Sequence, residues 1–247
     1  MNIIELYRRK IKNHFRQKSF ATKSGTANFK LFPGWMLKRQ QIEDDYQSQC
    51  AQDWFVDKFI FPDLDTGIFV DVGANHPIEI NNTYYFEKKG WRGIAFEPQE
   101  ELAQLWAAER KTVCHPYVLG DEAKEVVFEV SSKAHTLSSV RGEGETTGSP
   151  GCKIYQQRRL DTELIESGIT HVDFLSIDVE GYEMQVLGGL DFSTINVVCL
   201  ILENDETKLG DNKLREHMFG CGYRHVARLG GDDVFVKIGS PAEKRFL

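Results

Sequence analysis

The sequence is poor in cysteine and has no long apolar run, and both absences exclude classes of protein. Its five cysteines form no C-x-x-C pair, so neither a disulfide framework nor a zinc site is predicted. No segment approaches the roughly 18 apolar residues that a membrane span needs. Arg8, Arg9 and Lys10 interrupt the stretch where a signal-peptide core would lie. We therefore expect a cytoplasmic protein with reduced thiols.

Charge is distributed unevenly along the chain. Ten of the 30 Lys and Arg residues, but only one of the 37 Asp and Glu residues, lie in residues 1–40. The rest of the chain is acidic and repels a long polyanion, whereas the N-terminal segment can attract an anionic partner. Residues 3–18 also predict a basic amphipathic helix, because these apolar residues recur at helical spacing: Ile3, Ile4, Tyr7, Ile11 and Phe15.

The predicted N-terminal helix has two interpretations. It either attaches the protein to an anionic membrane surface or a partner, or packs on its own domain or on a second copy of the chain. We expect residues 1–65 to form a basic N-terminal helical extension and residues 66–247 to form one α/β domain.

Strand and helix patterns alternate after Thr66, which is typical of a parallel sheet covered on both faces. Two late apolar runs, Tyr223–Leu229 and Val234–Ile238, flank a Gly-Gly-Asp-Asp turn and predict a hairpin. Residues 131–152 are rich in Ser, Gly and Thr, so we expect a mobile loop over the site. The predicted fold is α/β and Rossmann-like, with a mostly parallel seven-stranded sheet and a terminal antiparallel hairpin. This is the outline of the class I S-adenosylmethionine-dependent methyltransferase fold.

The first strand of this domain ends in Asp71-Val72-Gly73-Ala74-Asn75. A dinucleotide site needs further glycines where this chain has Asn75 and Ile78, so a pyrophosphate ligand is disfavoured. A cofactor with an amino-acid end and an adenosine end does not need them. Asp71 then orders the turn or reaches the ammonium group, and the backbone of Gly73, Ala74 and Asn75 faces the methionyl part. The alternative is a plain strand-ending turn.

Carboxylates follow three later strands. Glu97, 24 residues after Gly73, is placed to accept both ribose hydroxyls, unless it only caps the helix after Pro98. Asp121 is placed to accept from the adenine amino group, or is an ordinary turn residue. Asp178 ends a buried strand and is aimed at the reactive end of the cofactor. Glu180 either orients the substrate or complements the dipole of the next helix.

Together these motifs resemble the FkbM-type methyltransferase family, from about Phe69 to Asp205. The resemblance rests on D-V-G-A-N, F-E-P, I-D-V-E-G-Y-E with the following V-L-G-G, and the late L-E-N. It implies that Gly73, Glu97 and Asp178 line an S-adenosylmethionine pocket, with Asn82 and Thr83 as additions. It also implies methylation of hydroxyl groups on sugars, glycans or polyketide-like products.

Methyl transfer to a hydroxyl requires an aligned nucleophile and a group that takes or masks its proton. The candidate bases are Asp178, Glu180, Glu203, His76 and His135. Alternatively, Asp178, Glu203 and Asn204 resemble the oxygen ligands of catechol-type O-methyltransferases, so Mg²⁺ is a second candidate cofactor. Carboxylates at strand ends also serve as plain hydrogen-bond acceptors.

The primary hypothesis is thus an S-adenosylmethionine-dependent O-methyltransferase acting on a saccharide or other small molecule. The basic tail raises an alternative, an RNA methyltransferase, but the acidic body and the lack of an N-P-P-Y tetrapeptide at residues 178–181 argue against nucleic acid. A third reading is a non-catalytic scaffold, recruited to a membrane or partner by its N-terminal helix and carrying a vestigial cofactor fold.

Overall fold

A computed structural model describes residues 16–22, 25–32, 45–129, 139–140, 152–204 and 213–247. In chain order its strands are β1 (Arg16–Thr22), β2 (Gly25–Phe32), β3 (Ile68–Val72), β4 (Arg92–Phe96), β5 (Val113–His115), β6 (Val118–Leu119), β7 (Lys124–Glu129), β8 (Ser139–Val140), β9 (Cys152–Arg158), β10 (His171–Ile177), β11 (Asn196–Glu203), β12 (Tyr223–Leu229) and β13 (Asp232–Lys237). The α-helices are Gln52–Phe55, continued by the π-helical turn Val56–Ile60, then Tyr84–Lys89, Glu100–Glu109, Leu160–Glu166, Glu183–Gly188 and Lys213–Gly220.

The main sheet has the order β1-β2-β12-β13-β11-β10-β3-β4-β5. Strands β11, β10, β3, β4 and β5 pair in parallel, and β13 runs antiparallel between β11 and β12. Seven of these strands therefore form a mixed, mostly parallel sheet with an antiparallel hairpin, which confirms the predicted Rossmann-like α/β architecture.

The N-terminal region differs from the helix predicted over residues 3–18. Residues 16–18 lie in β1, so the prediction is wrong there, while residues 3–15 fall outside the described part of the chain. β1 pairs antiparallel with β2, and β2 pairs in parallel with β12. The edge of a sheet has unpaired backbone N–H and C=O groups, so strand pairing there satisfies the backbone hydrogen bonds of the N-terminal segment. The helical spacing of the apolar residues does not indicate this partner.

Both faces of the sheet are buried, as the apolar strand sequences require. Along β3, Val70 and Val72 pack in one core cluster, whereas Phe69 packs in the cluster on the other face. Phe55 and Ile60 belong to that second cluster, so residues before the predicted boundary at 65 are part of the domain core. None of the helices within the described segments has the length and apolar content needed to cross a bilayer.

A second, smaller sheet flanks the main one in the order β6-β9-β7-β8. The sequence pattern predicts one strand over Thr112–Leu119, but Pro116 divides it into β5 in the main sheet and β6 in the small sheet. Strand β8 lies within the predicted loop 131–152, most of which is outside the described residues. The small sheet stands beside the carboxyl ends of β3 and β4, where it contributes to the site.

Candidate functional site

A cavity of about 320 Å³ opens at the carboxyl ends of β3, β4 and β10. Parallel strands present their following loops at this edge, which is where open α/β sheets bind ligands. Its volume is within the range of small-molecule pockets. The lining residues are Asp71, Val72, Gly73, Ala74, Asn75, His76, Glu79, Ile80, Asn81, Asn82, Phe96, Glu97, Pro98, Gln99, Tyr117, Val118, Leu119, Phe128, Val140, Ser176, Asp178, Val179, Glu180 and Tyr182.

Asp71 is a buried carboxylate at the cavity wall. Its Oδ2 accepts hydrogen bonds from Thr83 Oγ1 at 2.7 Å and Asn81 Nδ2 at 3.1 Å. Burial raises the pKa of Asp71 to about 6, against the opposing effects of these bonds and of the Arg110 charge. Asp71 thus ties the segment Asn81–Thr83 to the end of β3. Its two predicted roles, ordering the glycine turn and reaching the ammonium group, stay predictions.

The hydrogen bonds to Asn81 and Thr83 coincide with a late start of the following helix, Tyr84–Lys89. The sequence pattern predicts a helix from Ile78 to Lys89, but it begins only at Tyr84, so the first part of the prediction is wrong. Asn81 Oδ1 accepts from the backbone N–H of Thr83 and Tyr84, at 2.9 and 2.8 Å. These side-chain bonds compete with helical ones, and Ile80 adopts a positive φ of 55°. Of the residues left out of the helix, Glu79, Ile80, Asn81 and Asn82 line the cavity.

Gly73 allows β3 and β10 to approach closely. Its φ is +72°, and a Cβ there would lie 1.8 Å from the carbonyl oxygen of Asp178. The N–H groups of Gly73 and Ala74 both donate to Phe96 O, at 3.0 and 3.1 Å. The turn is therefore anchored to β4, and only glycine fits at its first position.

Glu97 is held against the cavity by backbone donors. It is 3% exposed, Asn75 N donates to its Oε2 at 3.0 Å, and Gln99 N donates to its Oε1 at 2.9 Å. Burial raises the pKa of Glu97, whereas these bonds favour its ionised form. The Gln99 side chain also donates to this carboxylate. An ionised carboxylate offers about four acceptor sites, so the group keeps acceptor capacity toward the cavity.

Asn82 and Thr83 have different positions. Asn82 lines the cavity and its Nδ2 donates to Ser176 Oγ at 3.0 Å. Thr83 is fully buried and is not among the lining residues; it supports Asp71 from behind. The structure thus brings Asn82 to the cavity surface and makes Thr83 part of its support.

Asp178 faces the cavity opposite the glycine turn. Its backbone N–H donates to Val72 O at 3.0 Å, which fixes the end of β10 beside β3. Although water reaches its side chain, protein surrounds it at the base of the cleft, and this desolvation raises the pKa of Asp178 well above its usual value. Repulsion from nearby carboxylates, led by Glu203, adds to the effect. Asp178 is therefore more basic than a solvated aspartate.

Glu180 and Glu203 complete an acidic cluster with Asp178. One oxygen from each of the three lies within 4.8 Å of the others, a spacing that could hold a metal ion. Glu183 orders the intervening loop, because its Oε1 accepts from Val179 N and Gly181 N at 3.2 and 3.0 Å. The structure thus brings together all three predicted catalytic carboxylates.

Two predicted site residues lie elsewhere. Asn204 is buried and its Nδ2 donates to Asp233 Oδ2 at 2.6 Å, so the amide nitrogen faces a structural ion-pair network. Asp121 is exposed and does not line the cavity described above; its Oδ1 accepts from Gln157 Nε2 at 3.5 Å. The adenine role of Asp121 and the metal role of Asn204 stay predictions.

Of the two histidines predicted as candidate bases, one lines the cavity and one lies outside the described residues. His76 lines the cavity, but its Nδ1 accepts from Ile78 N and Glu79 N at 3.2 and 2.9 Å, which uses that nitrogen in the turn. His135 lies outside the described residues.

The small sheet supplies cavity residues that the sequence pattern does not indicate. Phe128 of β7 and Val140 of β8 form part of the lining, and Tyr117 and Leu119 approach from the strand that Pro116 divides. The pattern of β7 predicts a strand, but the residues of its partner β9 are 23 or more positions away in sequence. No local signal predicts that pairing.

Two comparisons with known proteins bear on this site. A search of curated proteins gave no match. The family model described as the methyltransferase FkbM domain matches residues 71–225, more than half of the chain, and this range holds every residue of the cavity lining. The chain therefore belongs to the FkbM methyltransferase family.

Proposed function

We propose that the protein is an S-adenosylmethionine-dependent O-methyltransferase whose acceptor is a hydroxyl group on a sugar, glycan or other small molecule. Membership of the family supports methyl transfer with S-adenosylmethionine as donor. The observation that carries the proposal is the Glu97 carboxylate, which two backbone N–H groups hold rigidly at the cavity wall.

The residues present fit this cofactor. Glu97 accepts the two ribose hydroxyls with its remaining lone pairs. The turn Gly73–Asn75 has no side chain at its first position, so its backbone can approach the methionyl part closely. Asn82 offers an amide at the same wall. When bound, S-adenosylmethionine supplies a methyl group that its sulfonium sulfur activates toward a nucleophile.

Asp178 is the proposed general base. Desolvation at the cavity and repulsion from the neighbouring carboxylates raise the pKa of Asp178, which increases its affinity for a proton from the acceptor hydroxyl. Glu180 lines the same end of the cavity and can orient the acceptor by accepting a second hydroxyl bond. Glu203 acts on Asp178 through its charge.

The acceptor class follows from the same carboxylates. Hydroxyl groups donate readily to carboxylate oxygens, whereas a polyphosphate backbone is repelled by them, so a saccharide-like acceptor is favoured over RNA. The scaffold alternative predicts liposome flotation without cofactor binding, whereas attachment through the N-terminal segment by itself predicts flotation whether or not the cofactor binds. Both remain separate from the cavity chemistry.

Calorimetry with S-adenosylhomocysteine tests cofactor binding. We expect wild-type protein to bind and Glu97→Ala to lose at least about tenfold in affinity, because losing even one hydrogen bond to a charged group costs about 1.5 kcal/mol or more. Glu101→Ala, an exposed glutamate on the next helix, is the matched control and should bind normally. No binding by wild type, or equal binding by both variants, would sink the proposal.

Mg²⁺ at Asp178 and Glu203 stays a prediction. Hard oxygen ligands suit this ion, and it would lower the pKa of an acceptor hydroxyl without a separate base. Methyl transfer to a panel of hydroxylated sugars, measured after EDTA treatment and again with added Mg²⁺, separates the two mechanisms. Loss with EDTA and recovery with Mg²⁺ supports the ion; unchanged transfer supports Asp178 as the base.

A further inference from the structure

Residues 75–83, the cavity loop, rest on two side chains placed one helical turn apart. Trp106 Nε1 donates to Asn75 O at 2.7 Å, and an Arg110 terminal nitrogen donates to Pro77 O at 2.7 Å. Trp106 lies in helix Glu100–Glu109 and Arg110 follows its last residue, so the two side chains share one face. This face therefore supports the beginning of the cavity loop.

The Arg110 guanidinium has no solvent exposure and reaches well beyond Pro77. Its Nε donates to Glu87 Oε2 at 2.9 Å, and its terminal nitrogens lie 3.3 Å from Asn81 Oδ1 and 3.4 Å from Thr83 Oγ1. Its centre is 4.3 Å from the Trp106 ring centroid. A planar guanidinium presents several donors in a fixed fork, so it connects both ends of this segment at once.

The contacts of Arg110 also connect it to Asp71 at the cavity wall. Asn81 and Thr83, which Arg110 contacts, are the two residues whose side chains donate to Asp71. Arg110 thus lies behind these side chains and not in the cavity lining. Its positive charge lowers the pKa of Asp71, against the larger raising effect of burial.

The cavity loop needs such support because its backbone is strained. Asn75 and Ile80 have φ of 44° and 55°. For a β-branched residue such as Ile80 this conformation is unusual and costs free energy, so it persists only where surrounding contacts impose it.

We propose that Arg110 is a positioning residue for cofactor binding, whose guanidinium holds the cavity loop in its ligand-binding conformation through Pro77, Asn81 and Thr83. The ligand's identity rests on the proposed function. Arg110 does not line the cavity, so it acts through the loop and not by contact with the cofactor.

The test compares Arg110→Met and Arg110→Lys with Glu87→Gln, which weakens the ion pair but leaves the contacts of Arg110 to the cavity loop. Three quantities are measured: the melting temperature, the dissociation constant for S-adenosylhomocysteine, and amide hydrogen exchange of residues 75–83 without ligand. We expect Arg110→Met to raise the dissociation constant by roughly 10- to 100-fold, the range seen when groups supporting a site are removed. Its cavity loop should exchange faster.

Arg110→Lys should fall between wild type and Arg110→Met, because one ammonium cannot span the three loop acceptors. Glu87→Gln should lower the melting temperature yet keep the dissociation constant within about threefold of wild type and loop exchange unchanged. This split between stability and affinity is what a purely structural role would not produce.

Wild-type affinity in Arg110→Met, or a loss of affinity in Glu87→Gln equal to that in Arg110→Met, would overturn the proposal. If Arg110→Met does not fold, Arg110→Lys decides by the same criteria. If wild type binds no S-adenosylhomocysteine, the proposed function fails, but loop exchange still decides on Arg110: faster exchange in the variants supports its role and unchanged exchange refutes it.

Discussion

Gly73→Ala tests the close approach of the ends of β3 and β10, on which the shape of the cavity depends. An alanine Cβ would lie 1.8 Å from Asp178 O and 2.8 Å from its carbonyl carbon, both backbone atoms. Relief requires the strand ends to separate by more than 1 Å, since such contacts normally exceed about 3 Å. The separation also breaks the bond from Asp178 N to Val72 O.

The expected cost has two parts. A left-handed backbone costs alanine about 1–2 kcal/mol, and overpacking costs about 1–3 kcal/mol more. The total of about 2–5 kcal/mol lowers the melting temperature by about 4–20 °C in a chain of this size. Because Asp178 moves with the strand end, affinity for S-adenosylhomocysteine should also fall by at least about tenfold.

Gly168→Ala is the matched control for this variant. Gly168 has the same φ of +72°, but a Cβ there meets no atom within 4 Å. It therefore carries only the conformational cost, about 2–8 °C, and should bind the ligand normally. Circular dichroism melting curves and calorimetry give both quantities. Equal melting temperatures and affinities for the two variants would refute the close-approach argument.

Three further predictions concern single carboxylates. The pKa of Asp71 is about 6 in the folded protein and 3.8 ordinarily, so the folded state binds more protons between these values and the free energy of unfolding falls as pH rises from 4 to 6. Urea titrations at several pH values should show a smaller fall for Asp71→Asn. An unchanged dependence on pH would contradict this prediction. Asp178→Asn should reduce methyl transfer by about 10²- to 10⁴-fold, because it removes the proposed base. It should raise the melting temperature, because it removes a carboxylate that its neighbours repel. A lower melting temperature would count against that repulsion. Asp233→Asn should cost about 3–5 kcal/mol in denaturant unfolding, because it removes the buried negative charge that pairs with Arg215; a cost below about 1 kcal/mol would show that the pair is not needed.

The main sheet was predictable because its signals are local. The near-continuous apolar runs of β3 and β10, glycines between elements and the hairpin turn between β12 and β13 each depend on a few neighbouring residues. Since parallel strands end at one edge, the positions of Glu97 and Asp178 at a common cavity followed from the alternation of elements.

Other features depended on contacts between distant residues. The pattern at Ile78–Lys89 is helical, yet Asp71 and Arg110 bind Asn81 and Thr83 and so delay the helix to Tyr84. Tertiary hydrogen bonds outweighed local propensity there, as strand pairing did at residues 16–18. Neither interaction has a signal at fixed spacing in the sequence.

By itself, the sequence determined the order of strands and helices, the glycine turn at Gly73 and the carboxylates at the strand ends, because these follow from backbone sterics and short periodicities. Only the tertiary structure decided which of the predicted polar groups lie elsewhere and which side chains support the cavity. It turned the Asn204 amide toward Asp233, left Asp121 outside the cavity lining and set Arg110 behind the cavity loop. Such partnerships are set by chain packing over long sequence separations, where burial makes each polar group find a partner.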